Sequence, residues 1–187
     1  MSGLRVERCE DRGAWNDAVA SLDRPHILQT WEWGQFKGIT GWQPLRRLWR
    51  DAGGAVRAAA LVLKRAVPGG LSVLYVPRGP LLDWSDAGAR ESVLDDLQAL
   101  ARREGAIFTK IDPEIILATG TPGSEHDRPD PTGIQLVDGL RERGWRPSDE
   151  QVQFRNTAWL DLSGEESSWL ARMKQKTRYN LRLAQRK

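Results

Sequence analysis

Residues 42–76 read WQPLRRLWRDAGGAVRAAALVLKRAVPGGLSVLYV. Two turn signals divide the stretch. Asp51-Ala52-Gly53-Gly54 separates Trp42–Arg50 from Ala55–Val67, and Pro68-Gly69-Gly70 separates that run from Leu71–Val76, which is rich in Val and Leu. Glycine and proline clusters between apolar runs mark turns between strands. Three strands in quick succession are therefore predicted.

Working outward, Leu4–Arg8 reads as a short first strand. Asp11 offers an N-cap to a helix in which Trp15, Ala18, Val19 and Leu22 recur at helical spacing. A second short helix is predicted over Ile27–Lys37, broken by Gly41. Beyond the strands, Ser85 or Asp86 caps a helix through Val93, Leu94, Leu97 and Leu100 that stops at Gly105. Ala106–Ile111 is a compact strand closed by Asp112-Pro113, and Thr119–Pro131 is loop. Thr132 with Gln135 makes a capping box for a helix ending at Gly144. Gln151–Leu162 reads as the last strand, and Ser163 with Glu166 opens a final helix. The order is β-α-α-β-β-β-α-β-α-β-α, an α/β chain with a mixed sheet.

The chain of 187 residues holds 28 Lys+Arg against 25 Asp+Glu, with 40% hydrophobic residues, as in ordinary globular proteins. Nine tryptophans outnumber two tyrosines and three phenylalanines; such rings pack at core edges. A single cysteine, Cys9, excludes an internal disulfide and suits a reducing compartment, with a buried, inert thiol expected. No signal pattern and no apolar run of about 18 residues is present, so a cytoplasmic location is expected. Any membrane contact would be peripheral. His26 and His126 have no ligand spacing, and the chain lacks a Walker loop, a CxxC pair and a Ser/His/Asp arrangement. Neither a metal nor a cofactor is expected.

Charge is concentrated at one place. From Arg172 to Lys187 there are seven basic residues and no acidic one. At about 100° per residue, Arg172, Lys174, Arg178, Arg182 and Arg186 share one helical sector, while Trp169, Leu170, Met173, Leu181, Leu183 and Ala184 fill most of the other. Thr177 and Asn180 interrupt that apolar sector and call for polar partners. A helix so divided docks by its apolar side and offers cations to an anion.

The element order resembles the GNAT acyltransferase fold, whose mixed sheet splays open between its fourth and fifth strands to admit an acyl donor. That family's pyrophosphate loop, Gln/Arg-x-x-Gly-x-Gly/Ala, is absent here. The corresponding turn is Val76-Pro77-Arg78-Gly79-Pro80-Leu81-Leu82-Asp83, and Pro77 and Pro80 remove two N–H donors. Acetyl-CoA is thereby demoted.

A more specific resemblance rests on four pieces in order: His26-Ile27-Leu28-Gln29-Thr30-Trp31-Glu32-Trp33-Gly34-Gln35-Phe36-Lys37 with Gly41-Trp42; Pro77-Arg78-Gly79-Pro80; Lys110-Ile111-Asp112-Pro113; and Lys176-Thr177-Arg178-Tyr179-Asn180-Leu181-Arg182-Leu183-Ala184. Together they are similar to the Fem family (FemA/FemB/FemX) of peptidoglycan interpeptide-bridge aminoacyltransferases. The resemblance implies transfer of an amino acid from aminoacyl-tRNA to the stem-peptide amine of a UDP- or lipid-linked muramyl-peptide precursor. It places Lys37 on the precursor's phosphates, Trp33 beside it, and further substrate contacts at Thr177, Arg178 and Arg182. Each has an ordinary reading too: a solvated lysine at a helix end, a core-edge tryptophan, a solvated basic face. Asp112 invites a general-base role, since an amine nucleophile must lose a proton, but Asp before Pro also suits a strand exit, and that structural role is preferred. No catalytic residue is otherwise assigned.

The resemblance also implies that residues 1–163 form a GNAT-like domain, and that 164–187 is a basic amphipathic helix leading toward a second GNAT-like domain that this sequence lacks. A half-enzyme of this kind is expected to be inactive alone. Two other readings stay open: a GNAT-type N-acyltransferase using an acyl-CoA donor on a small amine, and a non-catalytic module gripping polyanions.

Overall fold

The computed structural model describes residues 3–158 and 163–186. They divide into two compact units, 1–153 and 154–187.

In the first unit, strand β1 (Arg5–Arg8) is followed by helices α1 (Arg12–Ser21) and α2 (Trp31–Ile39). The three decisive strands are β2 (Gln43–Arg50), β3 (Val56–Val67) and β4 (Leu71–Val76). A two-residue strand β5 (Leu81–Leu82), helix α3 (Ala87–Arg103) and strand β6 (Ala106–Ile111) complete the sheet. Its order is β1-β2-β3-β4-β6, with β5 pairing β3. All pairs are antiparallel except β4 with β6, which are parallel. The sheet is thus mixed, and the GNAT-like order holds through β6. After it come a small ribbon, β7 (Ala118–Thr119) with β8 (Arg128–Pro129), and helix α4 (Pro131–Glu142).

Alternation along the strands supplies two cores. Leu48, Ala59, Leu61, Leu63, Tyr75 and Leu81 face α1, where Trp15, Ala18 and Val19 meet them. Leu45, Trp49, Ala58, Ala60, Val62, Leu74 and Val76 face α3, which answers with Ala89, Val93, Leu97 and Leu100. Because β3 is buried on both faces, it reads as a continuous apolar run rather than an alternating one.

Several expectations are corrected. The second helix begins at Trp31, because Thr30 caps it and Ile27–Gln29 is a separate 3-10 turn. Asp130, not Thr132, caps α4: its Oδ1 accepts from Gly133 N at 3.0 Å, and Pro131 fills the first position, where no N–H is needed. Asp86 takes the cap of α3. Residues 151–158 of the expected strand Gln151–Leu162 form no strand, and 159–162 lie outside the described residues. Just before this stretch the chain is held by a side chain instead of a ladder, since Lys110 Nζ donates to Ser148 Oγ at 3.0 Å and to the Glu150 carbonyl at 2.6 Å. Cys9 follows β1 half-buried rather than fully buried.

Among its described residues the second unit carries two helices where one was expected, α5 (Glu166–Arg172) and α6 (Gln175–Gln185). Met173 and Lys174 adopt extended dihedrals between them, and no residue type marks that break. The Ser163–Glu166 capping box does not form; Glu165 is the N-cap and makes no side-chain cap bond. Arg178 and Arg182 remain one turn apart on α6, whereas Arg172 and Lys174 are separated from that row.

Candidate active site

Strands β4 and β6 end side by side, Val76 opposite Ile111. The turns that follow are stitched together, the Asp112 amide donating to the Gly79 carbonyl at 3.1 Å. A gap between these strands was implied by the acyltransferase resemblance; here they stay paired to their ends.

Past Tyr75 the chain leaves the sheet at residues 77–80 and rejoins β3 only at Leu81, opposite Ala59. The vacated partner position on β3 is filled by a side chain. Gln29, fully buried, accepts from Leu61 N at 2.7 Å through Oε1 and donates to the Pro77 carbonyl through Nε2. Its own carbonyl accepts from Trp15 Nε1 at 2.8 Å. Gly79 is required beside it, since a Cβ there would lie 2.7 Å from Gln29 Nε2. This bracing fixes the turn that carries Arg78, a residue held at φ +48.

Around the paired ends, Tyr75 Oη lies 3.3 Å from Asp112 Oδ2, and Gln153 Nε2 lies 3.5 Å from the same hydroxyl. Arg78 Nη1 is 3.9 Å from Glu114 Oε1, with both side chains largely buried. Burial pushes the Asp112 carboxyl above the usual aspartate range, against the pull of Arg78 and the Tyr75 hydroxyl. Burial likewise pushes Tyr75 up to about 12, so at neutral pH its hydroxyl is protonated and donates to Asp112. His26 is pushed below its ordinary value, chiefly by burial, and its Nδ1 accepts from Leu28 N at 3.0 Å. An open cleft of about 210 Å³ borders Arg78 and Glu114.

Lys37 lies in the last turn of α2. Its Nζ sits 5.7 Å from the Trp33 ring centroid and 5.9 Å from that of Trp42, and the Arg65 guanidinium covers Trp42 at 4.8 Å. Such cation–aromatic contacts hold the charges in place. The Trp33 indole N–H is buried and finds no acceptor among the described residues. Gly34 brings the helix down onto the sheet: a Cβ there would meet Arg46 Nη2 at 2.7 Å and Leu61 and Pro44 at 3.2 Å.

Lys37 and Trp33 are therefore together, and Asp112 belongs to a separate cluster on the same side of the sheet. Arg65 pairs with Val73, two residues before Tyr75, so a cationic end and a carboxylate end share one face of β4. Thr177, Arg178 and Arg182 lie on α6 in the second unit, Arg178 half-buried and the others exposed. Sequence reasoning passed over Tyr75, Gln153 and Glu114. Tyr75 carried a signal, a polar ring in an apolar strand directly before a turn, whereas Gln153 carried none.

A mixed sheet in this order, with helices on both faces and polar groups gathered where its parallel strands end, is a GNAT-like acyltransferase fold. The family model of the FemAB family matches residues 16–187. This chain belongs to the FemAB family. A crystal structure of FemX matches with a TM-score of 0.73 at 21% identity, over 95% of this chain and 43% of that one. Lipid II:glycine glycyltransferase of Staphylococcus aureus is 27% identical over 169 residues, 89% of this chain and 38% of that protein; that of strain MRSA252 is 26% identical over the same span. The chain thus spans well under half the length of the curated relatives it matches.

Proposed function

We propose that this chain contributes the precursor-binding domain of an aminoacyltransferase that builds peptidoglycan cross-bridges. The observation that carries the reading is the shared face of β4, with Lys37 and Arg65 toward one end and Asp112 with Tyr75 at the other. A muramyl-peptide precursor is long and carries its diphosphate far from its stem-peptide amine, so its two recognition elements have to be spread along the protein. The family membership and the lipid II substrate in the name of the Staphylococcus aureus relative support the same substrate class.

In this reading Lys37 holds a precursor phosphate as a point charge, with Trp33 walling the site. The stem-peptide ammonium approaches Asp112. Its carboxylate accepts one ammonium proton, and Tyr75 donates to the other side of the carboxylate to orient it. The neutral amine attacks the ester carbonyl carbon of aminoacyl-tRNA. The new C–N bond forms, the ester C–O bond breaks, and the tRNA hydroxyl leaves with the amine's second proton. On α6, Arg178 and Arg182 supply cations and Thr177 a hydroxyl donor to precursor or tRNA phosphates, and the reaction belongs on the cytoplasmic side of the membrane.

The acyl-CoA reading has less support, because β4 and β6 are paired to their ends and Pro77 and Pro80 deplete the turn of N–H donors. Calorimetric titration of UDP-linked muramyl-pentapeptide, beside UDP and coenzyme A, tests the proposal. Binding that requires the muramyl-peptide and weakens about tenfold or more in Lys37→Ala is expected, since a hydrogen bond to a charged group contributes roughly 1.5–3 kcal/mol. Binding of coenzyme A instead would sink it.

A further inference from the structure

The end of the sheet opposite Arg78 and Asp112 is formed by the last turn of α2 and the β3–β4 turn. It exposes apolar side chains that a soluble surface has no use for: Ile39 is 84% exposed, Phe36 52% and Leu71 46%. Phe36 and Ile39 are three residues apart and share a side of α2. Arg65 ties the helix end to the hairpin by donating to the Thr40 carbonyl at 2.5 Å. Leu71 pairs with Val67, two residues beyond Arg65, so all three apolar groups belong to one end of the domain.

Cations border them. Lys37 and Arg65 lie on the α2 side. Arg102 and Arg103 close the last turn of α3, whose end is fastened to the start of β4 by Ser72 Oγ donating to the Glu104 carbonyl at 2.8 Å. The Glu104 carboxylate is shared by Lys64 at 2.8 Å and Arg103 at 3.6 Å, one anion against the five cations Lys37, Lys64, Arg65, Arg102 and Arg103, so this end keeps a positive excess. Half-buried Trp42 sits among these groups. Apolar tips ringed by Lys and Arg, with a tryptophan at their border, are the composition of a surface that lies in a lipid headgroup layer. None of the three apolar residues lines the cleft beside Arg78, as a site for a small ligand would require.

We propose that this end of the domain docks on an anionic lipid bilayer, with Ile39, Phe36 and Leu71 entering the headgroup region and Arg65, Arg102 and Arg103 lying against lipid phosphates. The proposal deepens the function given above and rests on it for its consequence, which is that the acceptor is lipid-linked. A diphosphate at the membrane plane is then level with Lys37. The muramyl-peptide then runs along β4 from the level of Val73 toward Asp112, on the side away from the lipid.

The test is co-sedimentation of the chain with vesicles of phosphatidylglycerol and phosphatidylcholine, and with phosphatidylcholine alone. The Ile39→Asn/Leu71→Asn double variant is run beside it, and each protein's binding of UDP-linked muramyl-pentapeptide is measured in solution. Binding to the anionic vesicles that falls about tenfold in the double variant, with its thermal midpoint kept, upholds the proposal. Absence of vesicle binding by the unaltered chain overturns it, even where the soluble precursor still binds and the proposed function stands. Equal vesicle binding by the double variant also overturns it and moves the contact to another surface such as α6. Self-association abolished by the double variant would replace lipid with a second copy of the chain as the occupant. Vesicle binding as expected, with no affinity for the soluble precursor, would leave docking standing and remove the proposed function.

Discussion

Asp112 shows how two roles of one residue come apart by measurement. Its carboxyl titrates above the ordinary aspartate range because burial penalises the charged form. The folded state therefore binds this proton more tightly than the unfolded state does. As pH rises from the unfolded value through the folded one, this group costs stability. Asp112→Asn removes the slope, so its thermal midpoint should equal or exceed that of the unaltered chain at neutral pH and lose that advantage in acid. A purely structural aspartate would behave oppositely, with the variant less stable at pH 7. Transfer by the complete enzyme should fall at least about a hundredfold in the same variant if the carboxylate is the base. Little in the sequence told these roles apart. Asp before Pro is written identically for a strand exit and for a catalytic carboxylate, and the difference lies in Tyr75 and Arg78, which reach Asp112 only through the parallel pairing of β4 with β6.

At the scale of elements, most of the sheet was legible because its signals are local. The Gly-rich turns at 51–54 and 68–70 and the caps Asp11 and Asp86 depend on residues within a few positions of one another. What failed to show depends on partners far along the chain. The segment after Glu150 has the alternation of a strand, yet Val152 and Phe154 are exposed. Alternation states which face would be buried and not whether a neighbour exists to pair with. The break between α5 and α6 has no local cause in residue type at all. Gln29 is the opposite case, a polar residue in an apolar run that serves as the missing rung of a strand. Gln29→Leu leaves the Leu61 amide and the Pro77 carbonyl buried without partners, and should lower unfolding free energy by roughly 2–5 kcal/mol, read from urea denaturation. A loss below about 1 kcal/mol would mean the turn is held elsewhere.

Within the first unit, the proposed function runs along one face of the sheet, and the proposed membrane contact uses one end of it. Lys37 and Arg65, packed on Trp42, belong near the lipid-facing end, and Asp112 with Tyr75 lies at the far end of β4. The mixed sheet keeps the two apart, with strands anchored on both sides by buried side chains from α1 and α3. The family's motifs were therefore readable as pieces before their spatial arrangement was, because they fall on separate parts of the chain: α2, the turns after β4 and β6, and α6.

The amide of Asp112, bonded to the Gly79 carbonyl, makes the two turns at the carboxylate end a single rigid piece. Neither can swing aside alone to admit a substrate. Residues 148–150, by contrast, are held largely through side chains, by Lys110 on Ser148 and Glu150 and by Gln151 on Ser148. Time, rather than distance, should distinguish them. In deuterated buffer the Asp112 amide should retain its proton nearly as long as the core strands, whereas amides 149–153 should exchange within the earliest sampled interval. Entry to the carboxylate would then be timed by residues 148–153 and not by the two turns, and substrates too bulky to wait for it would be turned away by rate instead of by fit.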